Sequence, residues 1–284
     1  MVRLKAFAKV NLTLKILAKR SDGYHSLESV MQSVSLCDYI SLEPHSSGIE
    51  LSIVGDHKLP TDNKNLAFRA AEAFFLELDK KGIAHGGIKI NLEKKIPLAA
   101  GLAGGSADAA GVLFGLNKLA DKPFNEEELI MIGASLGSDV PFCLKGGRCL
   151  ATGWGEKLAA KPLEKTEYYI IVVPDLEVPT PWAYQEFDRV VESEPLLIEG
   201  NKNDLEPVVV RRYPVISEVM GKLVEAGCEW AQMSGSGPSV FGLVRDQNLG
   251  RLITTKIRHA YPRAFFTETV GVGVEAEHHY SPNT

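Results

Sequence analysis

The sequence predicts an α+β protein of two domains, and three observations carry that prediction. Stretches that alternate every two residues and stretches with helical periodicity occur in both halves of the chain. The length, 284 residues, exceeds what one ordinary domain needs. A charged, proline-containing stretch from Glu156 to Glu167 separates the halves and reads as a boundary. The expected domains are residues 1–157 and 158–284. The pattern leaves open whether the final strand returns to the first domain.

In chain order, residues 5–16 alternate. Val10, Leu12, Leu14 and Ile16 fall on one face and Lys9, Asn11, Thr13 and Lys15 on the other, as in a strand with one buried side. Asn65 to Lys81 reads as an amphipathic helix through Leu66, Ala70, Ala73, Phe74 and Leu78, stopped by Gly82. Ile88, Ile90 and Leu92 form another alternating strand, which gives way to a glycine-rich turn at Pro97. An alanine-rich helix starts at Ser106. Asn125 caps a further helix whose first turn, Glu126 to Glu128, suits the positive end of the helix dipole. That helix stops near Gly137, and residues 145–157 are rich in glycine. Tyr168 to Val173 is a β-rich run. Ile216, Val219, Met220, Leu223 and Val224 share one helical face ended by Gly227, and short strands near 239–244 and 264–270 flank a last helix.

Composition narrows the function classes. A net charge of −5 argues against non-specific nucleic-acid binding, which needs a broad basic face. It leaves anionic ligands open, because backbone dipoles hold phosphates locally. No apolar run approaches the roughly 20 residues of a membrane span, and Met1 leads into no apolar signal region. Cys37, Cys143, Cys149 and Cys228 lack C-x-x-C spacing, so buried free thiols in a reducing cytoplasm are the expectation.

Chemistry concentrates in a few short segments. In Pro97-Leu98-Ala99-Ala100-Gly101-Leu102-Ala103-Gly104-Gly105-Ser106-Ala107 a strand runs into small residues and a helix opens at their end. Such a turn either points successive N–H groups at a polyphosphate or is simply tight. It is neither a P-loop nor a clean dinucleotide turn, since G-x-x-x-x-G-K-[ST] is missing and G-x-G-x-x-G is imperfect. Asp139, in Gly137-Ser138-Asp139-Val140-Pro141, lies just past a helix end and cannot cap that helix. It is either a structural loop aspartate or a catalytic one. Lys9 and Asn11 project together from the first strand, and for an isolated strand a solvated face is the expectation. Met233-Ser234-Gly235-Ser236-Gly237-Pro238 is a further glycine-rich turn joining two β-rich runs.

In order along the chain, the first-strand segment, the Pro97–Ala110 loop and the Met233–Pro238 turn resemble the three motifs of the GHMP family of small-molecule kinases. Ala8-Lys9-Val10-Asn11-Leu12, Arg20-Ser21-Asp22-Gly23-Tyr24-His25, the Asp139 segment and Pro179-Thr180-Pro181 resemble the branch of that family whose substrate is a cytidine diphosphate-linked polyol. Ala99, Ala100, Ala103 and Ala107 depart from the Gly and Ser common in the family. An alanine there still offers its N–H provided φ stays negative.

The resemblance implies a ribosomal protein S5 domain 2-like N-terminal domain, a ferredoxin-like C-terminal domain and a site between them. It implies ATP and Mg²⁺ as cofactors, with residues 97–107 holding the phosphates, Asn65 and Lys95 near the adenine, and Ser106 near the ion. No residue is assigned as a metal ligand. It makes Asp139 the proton acceptor and Lys9 its partner. Tyr24 and Tyr184 would enclose the cytosine and His25 would hydrogen-bond it. Asn11, Thr180, Gly235, Ser236 and Gly237 would line the rest of the substrate site. A homoserine- or mevalonate-type kinase would keep the glycine-rich loop without needing Asp-Gly-Tyr-His. A non-catalytic nucleotide sensor would have no use for Lys9 together with Asp139.

Overall fold

The computed structural model describes residues 1–20, 23–55, 59–193 and 200–277; Ser21 and Asp22 of the Arg20–His25 segment lie outside the described residues. The first half contributes β1 (Val2–Asn11), β2 (Lys15–Lys19), β3 (His25–His45), β4 (Ile49–Val54), α1 (Leu66–Lys80), β5 (Gly87–Glu93), α2 (Gly104–Leu119), α3 (Glu126–Leu136), α4 (Val140–Lys145), β6 (Arg148–Thr152) and β7 (Lys157–Lys161). The second contributes β8 (Tyr168–Val172), α5 (Thr180–Ser193), α6 (Glu206–Arg212), α7 (Val215–Glu225), β9 (Trp230–Met233), β10 (Val240–Val244), α8 (Gln247–Ile257), β11 (Ala264–Glu268) and β12 (Val274–Ala276).

Local chemistry sets the helix ends. The Asn65 side chain accepts from the Ala67 N–H and starts α1, while Asn125 and Glu128 form a reciprocal capping box on α3. The first sheet runs β12-β1-β3-β5-β4, and the long β3 also pairs with β2 and β6. All of its pairings are antiparallel except β4 with β5. Leu4, Ala6, Ala8 and Val10 of β1, Ile40 and Leu42 of β3 and Ile88, Ile90 and Leu92 of β5 share one core with Phe74 and Leu78 of α1. Each such aliphatic side chain contributes about 1.5–3 kcal/mol on full burial. Against this sheet α2 lies unusually close: a Cβ on Gly111 would stand 2.3 Å from Ile40 Cδ1, and one on Gly115 2.4 Å from Leu42 Cδ1. That approach fixes the height of the α2 N-terminus over the strand ends.

The second sheet, β11-β8-β10-β9, is antiparallel throughout. Ile170 and Val172 of β8 face a core with Ile216, Val219 and Leu223 of α7 and Ile253 and Ile257 of α8. Tyr169, Ile171 and Val173, on the opposite face, join the core of the first sheet. The continuous apolar run at 168–173 is therefore a strand buried on both sides, which is the seam between the two halves.

Two expectations change, the domain limit and the face of β1, and the open question of the last strand is answered. The glycine-rich stretch 145–157 contains β6, and β7 extends the first sheet to Lys161, so the expected limit at 157/158 cuts through a paired strand. β12 returns to the first sheet, with Leu4, Ala6 and Lys5 opposite Ala276, Val274 and Glu275. The Lys9/Asn11 face of β1 is not solvated, because the second half of the chain covers it and both residues are buried. All four cysteines are buried free thiols. Among the described residues no helix is long and apolar enough to cross a membrane.

Candidate active site

The chain between β5 and α2 folds under the helix because Ala100 and Leu102 are anchored in the core. Leu102 O accepts from the Lys9 N–H at 3.1 Å, stitching the loop to β1. At α2 the N-cap residue is Ala103, and no side chain caps the helix. The N–H groups of its first turn are thus left for a ligand, at the positive end of the helix dipole. The expectation of negative φ fails at two of the alanines: Ala99 has φ 49° and Ala103 φ 59°, in the left-handed region. Such a conformation costs a residue with a Cβ about 1–2 kcal/mol. It persists here because the buried side chains of Ala100 and Leu102 fix the path on either side.

Lys9 crosses from β1 to this loop. Its ammonium donates to Asn11 Oδ1 at 2.6 Å and to Gly101 O at 3.1 Å, and it stands 3.6 Å from Asp139 Oδ2. Asp139 occupies the N-cap position of α4, a short helix the sequence pattern did not reveal, yet its carboxylate makes no cap bond. It turns to Lys9 instead. A buried cation, side-chain exposure 5%, thus meets a carboxylate exposed at 27%, which leaves that carboxylate accessible to a reactant.

The Met233–Pro238 turn closes the other side. Ser234 Oγ donates to Gly101 O at 3.1 Å, and Ser239 Oγ donates to Ala100 O at 2.5 Å. Gly101 has φ 74°, and a Cβ on it would lie 2.4 Å from Ser234 O, so the two glycine-rich turns touch backbone to backbone. A Cβ on Gly235 would stand 3.2 Å from Asn11 Oδ1 and 3.5 Å from Lys9 Nζ. Ser236 Oγ and Thr180 Oγ1, at the start of α5, are 2.9 Å apart. Lys9, Asn11, Gly101, Asp139, Gly235, Ser236 and Thr180 therefore come together from five separate segments. Asn11 is fully engaged by the protein, since its amide also donates to Ser29 Oγ at 2.8 Å.

At the far end, the ring of His25 stacks on Tyr184 at 5.2 Å and 28°, and Phe187 meets it edge-on at 6.5 Å. Burial, and secondarily the negative charge of Asp139, push the Tyr184 phenol up to about 12. The ring of Tyr24, next to His25, is exposed.

Two of the expected cofactor residues are placed differently from the core set. Asn65 spends both ends of its amide on the protein, accepting from Ala67 N and donating to Pro60 O. Lys95 points outward and pairs with Glu93 at 2.9 Å. The buried cation beneath the loop is its neighbour Lys94, bonded to Asp38 and, at 2.6 Å, to Asp108 Oδ2, and 3.5 Å from a Cβ placed on Gly104. Although burial opposes it, the Asp108 and Asp38 carboxylates bonded to Lys94 hold its ammonium charged. Strand alternation carried one residue past β5, Leu92 in, Glu93 out, Lys94 in, would have found it. Asn203 escaped notice as well. Its amide donates to Met233 O and Gly235 O and shapes the third motif, and a lone asparagine ahead of a helix gives no pattern to read.

Comparison with known proteins bears on the family and the fold. The GHMP kinases N-terminal domain family matches residues 65–147, and the GHMP kinases C-terminal family matches residues 190–263. The 4-diphosphocytidyl-2-C-methyl-D-erythritol kinase of Syntrophomonas wolfei is 42% identical over 278 residues, covering 92% of this chain and 96% of its own. That of Gloeobacter violaceus is 43% identical over 272 residues, covering 87% and 86%. A crystal structure of 4-(cytidine 5'-diphospho)-2C-methyl-D-erythritol kinase superimposes with a TM-score of 0.78 at 36% identity, over 95% of this chain and 99% of that one. Homoserine kinase from Cytophaga hutchinsonii shares the fold, with a TM-score of 0.73 at 20% identity over 97% of each chain. By sequence over nearly its whole length and by fold, the chain belongs to the GHMP kinase family, among its 4-diphosphocytidyl-2-C-methyl-D-erythritol kinases.

Proposed function

We propose that this protein transfers the γ-phosphoryl group of ATP to the 2-hydroxyl of 4-diphosphocytidyl-2-C-methyl-D-erythritol, a step in making isoprenoid precursors by the non-mevalonate route. The observation that carries the reading is the Lys9–Asp139 pair set against Gly101 of the loop that leads into the uncapped N-terminus of α2; the stacked His25–Tyr184 pair supports the cytidyl substrate. Phosphoryl transfer asks the protein mainly for positioning and charge stabilisation. The first-turn N–H groups of α2 and the backbone of residues 97–107 bind the phosphates. Asp139 Oδ2 accepts the proton of the attacking hydroxyl. Lys9 holds that carboxylate in place and offsets the negative charge that grows on the hydroxyl oxygen.

Mg²⁺ entering with ATP would supply neutralisation of the phosphate charge. The Ser106 hydroxyl in the first turn of α2 would be an oxygen donor to such an ion. Tyr184 and Tyr24 offer aromatic faces to the cytosine, His25 a ring nitrogen to its edge, and Thr180 with Ser236 hydroxyls to the polyol. Buried, unpaired thiols fit a reducing cytoplasm.

The test is ATP consumption against a substrate panel. ADP should form with Mg²⁺ and the cytidyl substrate, and not with mevalonate, homoserine or galactose. Turnover on one of those three with none on the cytidyl compound refutes the substrate assignment and retains the kinase. ATP hydrolysis or transfer on none of them refutes both.

A further inference from the structure

His25 is held by a charged group that the reaction above does not use. Asp188, on α5, lies one helical turn beyond Tyr184 and so on the same face. Its Oδ1 is 2.6 Å from His25 Nε2, and its Oδ2 accepts from Lys19 Nζ at 2.6 Å. Lys19 and His25 are themselves directly opposite one another in the β2–β3 pairing. Three elements thus lock one carboxylate to one imidazole.

We propose that Asp188 is a positioning residue for base specificity: it fixes the proton of His25 on Nε2, so that Nδ1 presents a lone pair to the exocyclic amine of the cytosine. The inference rests on the substrate reading above. An ionised carboxylate can only accept, so the shared proton must sit on Nε2. Although burial opposes it, the bonds from Lys19 and His25 hold the Asp188 carboxyl below its ordinary range, which keeps it an acceptor. On a neutral imidazole Nδ1 is then the acceptor. The ring cannot easily turn to offer the other nitrogen, because its side chain is only 7% exposed between Tyr184 and Phe187. Cytosine carries an amino donor at position 4 where uracil carries a carbonyl acceptor. A fixed lone pair attracts the first and repels the second, the way buried polar groups give large discrimination.

The experiment compares wild type, Asp188→Ala and Lys19→Met, with the cytidyl substrate and its uridyl counterpart. Asp188→Ala should raise KM for the cytidyl substrate about tenfold, the effect of losing one oriented hydrogen bond, with kcat and the KM for ATP within about twofold. It should narrow the preference for cytidyl over uridyl by a similar factor. Lys19→Met, which leaves the His25–Asp188 bond in place, should keep that preference. Long-range ¹H–¹⁵N NMR of the wild-type protein should show the His25 proton on Nε2, and Asp188→Ala should show both tautomers. An unchanged preference in Asp188→Ala, or a proton on Nδ1 in the wild type, overturns the proposal. The NMR arm is independent of turnover: if the wild-type protein fails to use the cytidyl substrate, the functional reading fails while the hold of Asp188 on His25 is still measured.

Discussion

Replacing Gly101 with alanine tests whether the two glycine-rich turns really work as one unit. The added Cβ would lie 2.4 Å from Ser234 O and 3.1 Å from Gly237 O, both backbone atoms that no rotamer change can move. The turns would have to part by roughly 1 Å to restore an ordinary contact. That parting pulls on the bonds from Ser234 Oγ and Lys9 Nζ to Gly101 O, both at 3.1 Å. The backbone term alone is modest: φ 74° costs an alanine about 1–2 kcal/mol, partly offset by about 0.4–1 kcal/mol from stiffening the unfolded chain. Overpacking adds about 1–3 kcal/mol, so a loss of stability near 2–4 kcal/mol is expected. Because Lys9 positions Asp139, a shift of this size should also cost about 10²-fold in kcat/KM. Ala103→Gly is the control. It relieves a left-handed alanine in the same loop with no added contact, so stability should stay within about 1 kcal/mol of wild type and activity should be retained. Steady-state kinetics with a thermal melt reads both. If Gly101→Ala keeps wild-type kcat/KM, contact between the turns does not set the position of Lys9 and the argument fails.

Two other outcomes follow from the site. Asp139→Asn keeps the shape, removes the proton acceptor and should lower kcat by roughly 10²–10⁴ with little change in ATP affinity; wild-type turnover would make Asp139 structural. Tyr184→Phe should cost little, whereas Tyr184→Ala should raise KM for the cytidyl substrate through lost stacking of about 1–3 kcal/mol and leave the KM for ATP nearly unchanged. A large fall in Tm with unaltered substrate kinetics would instead assign Tyr184 to packing alone.

Much of this molecule is legible in its residues taken one segment at a time. Asn65 and Asn125 start helices because a short polar side chain can reach an N–H two or three residues on, an interaction wholly within one turn. The glycine-rich run at 97–107 reads as a turn that opens a helix, and the small residues there leave the first-turn donors of α2 without a side-chain cap. The family motifs likewise carried Lys9 and Asp139 into one site across 129 intervening positions. What the sequence could not decide is whatever depends on covering one segment with another. The polar face of β1 reads as solvated until the second half of the chain buries it, and only then do Lys9 and Asn11 face a cleft instead of water. Three residues, Val274–Ala276, carry no periodicity, so the return of β12 to β1 emerges only from unpaired backbone groups finding each other at the sheet edge. The left-handed φ of Ala99 and Ala103 runs against local preference and is imposed by the burial of Ala100 and Leu102. Asp188 has no motif at all. Its partners are Lys19 and His25, more than 160 residues away in the chain, and only the packing of α5 against the β2–β3 hairpin brings a carboxylate to that imidazole.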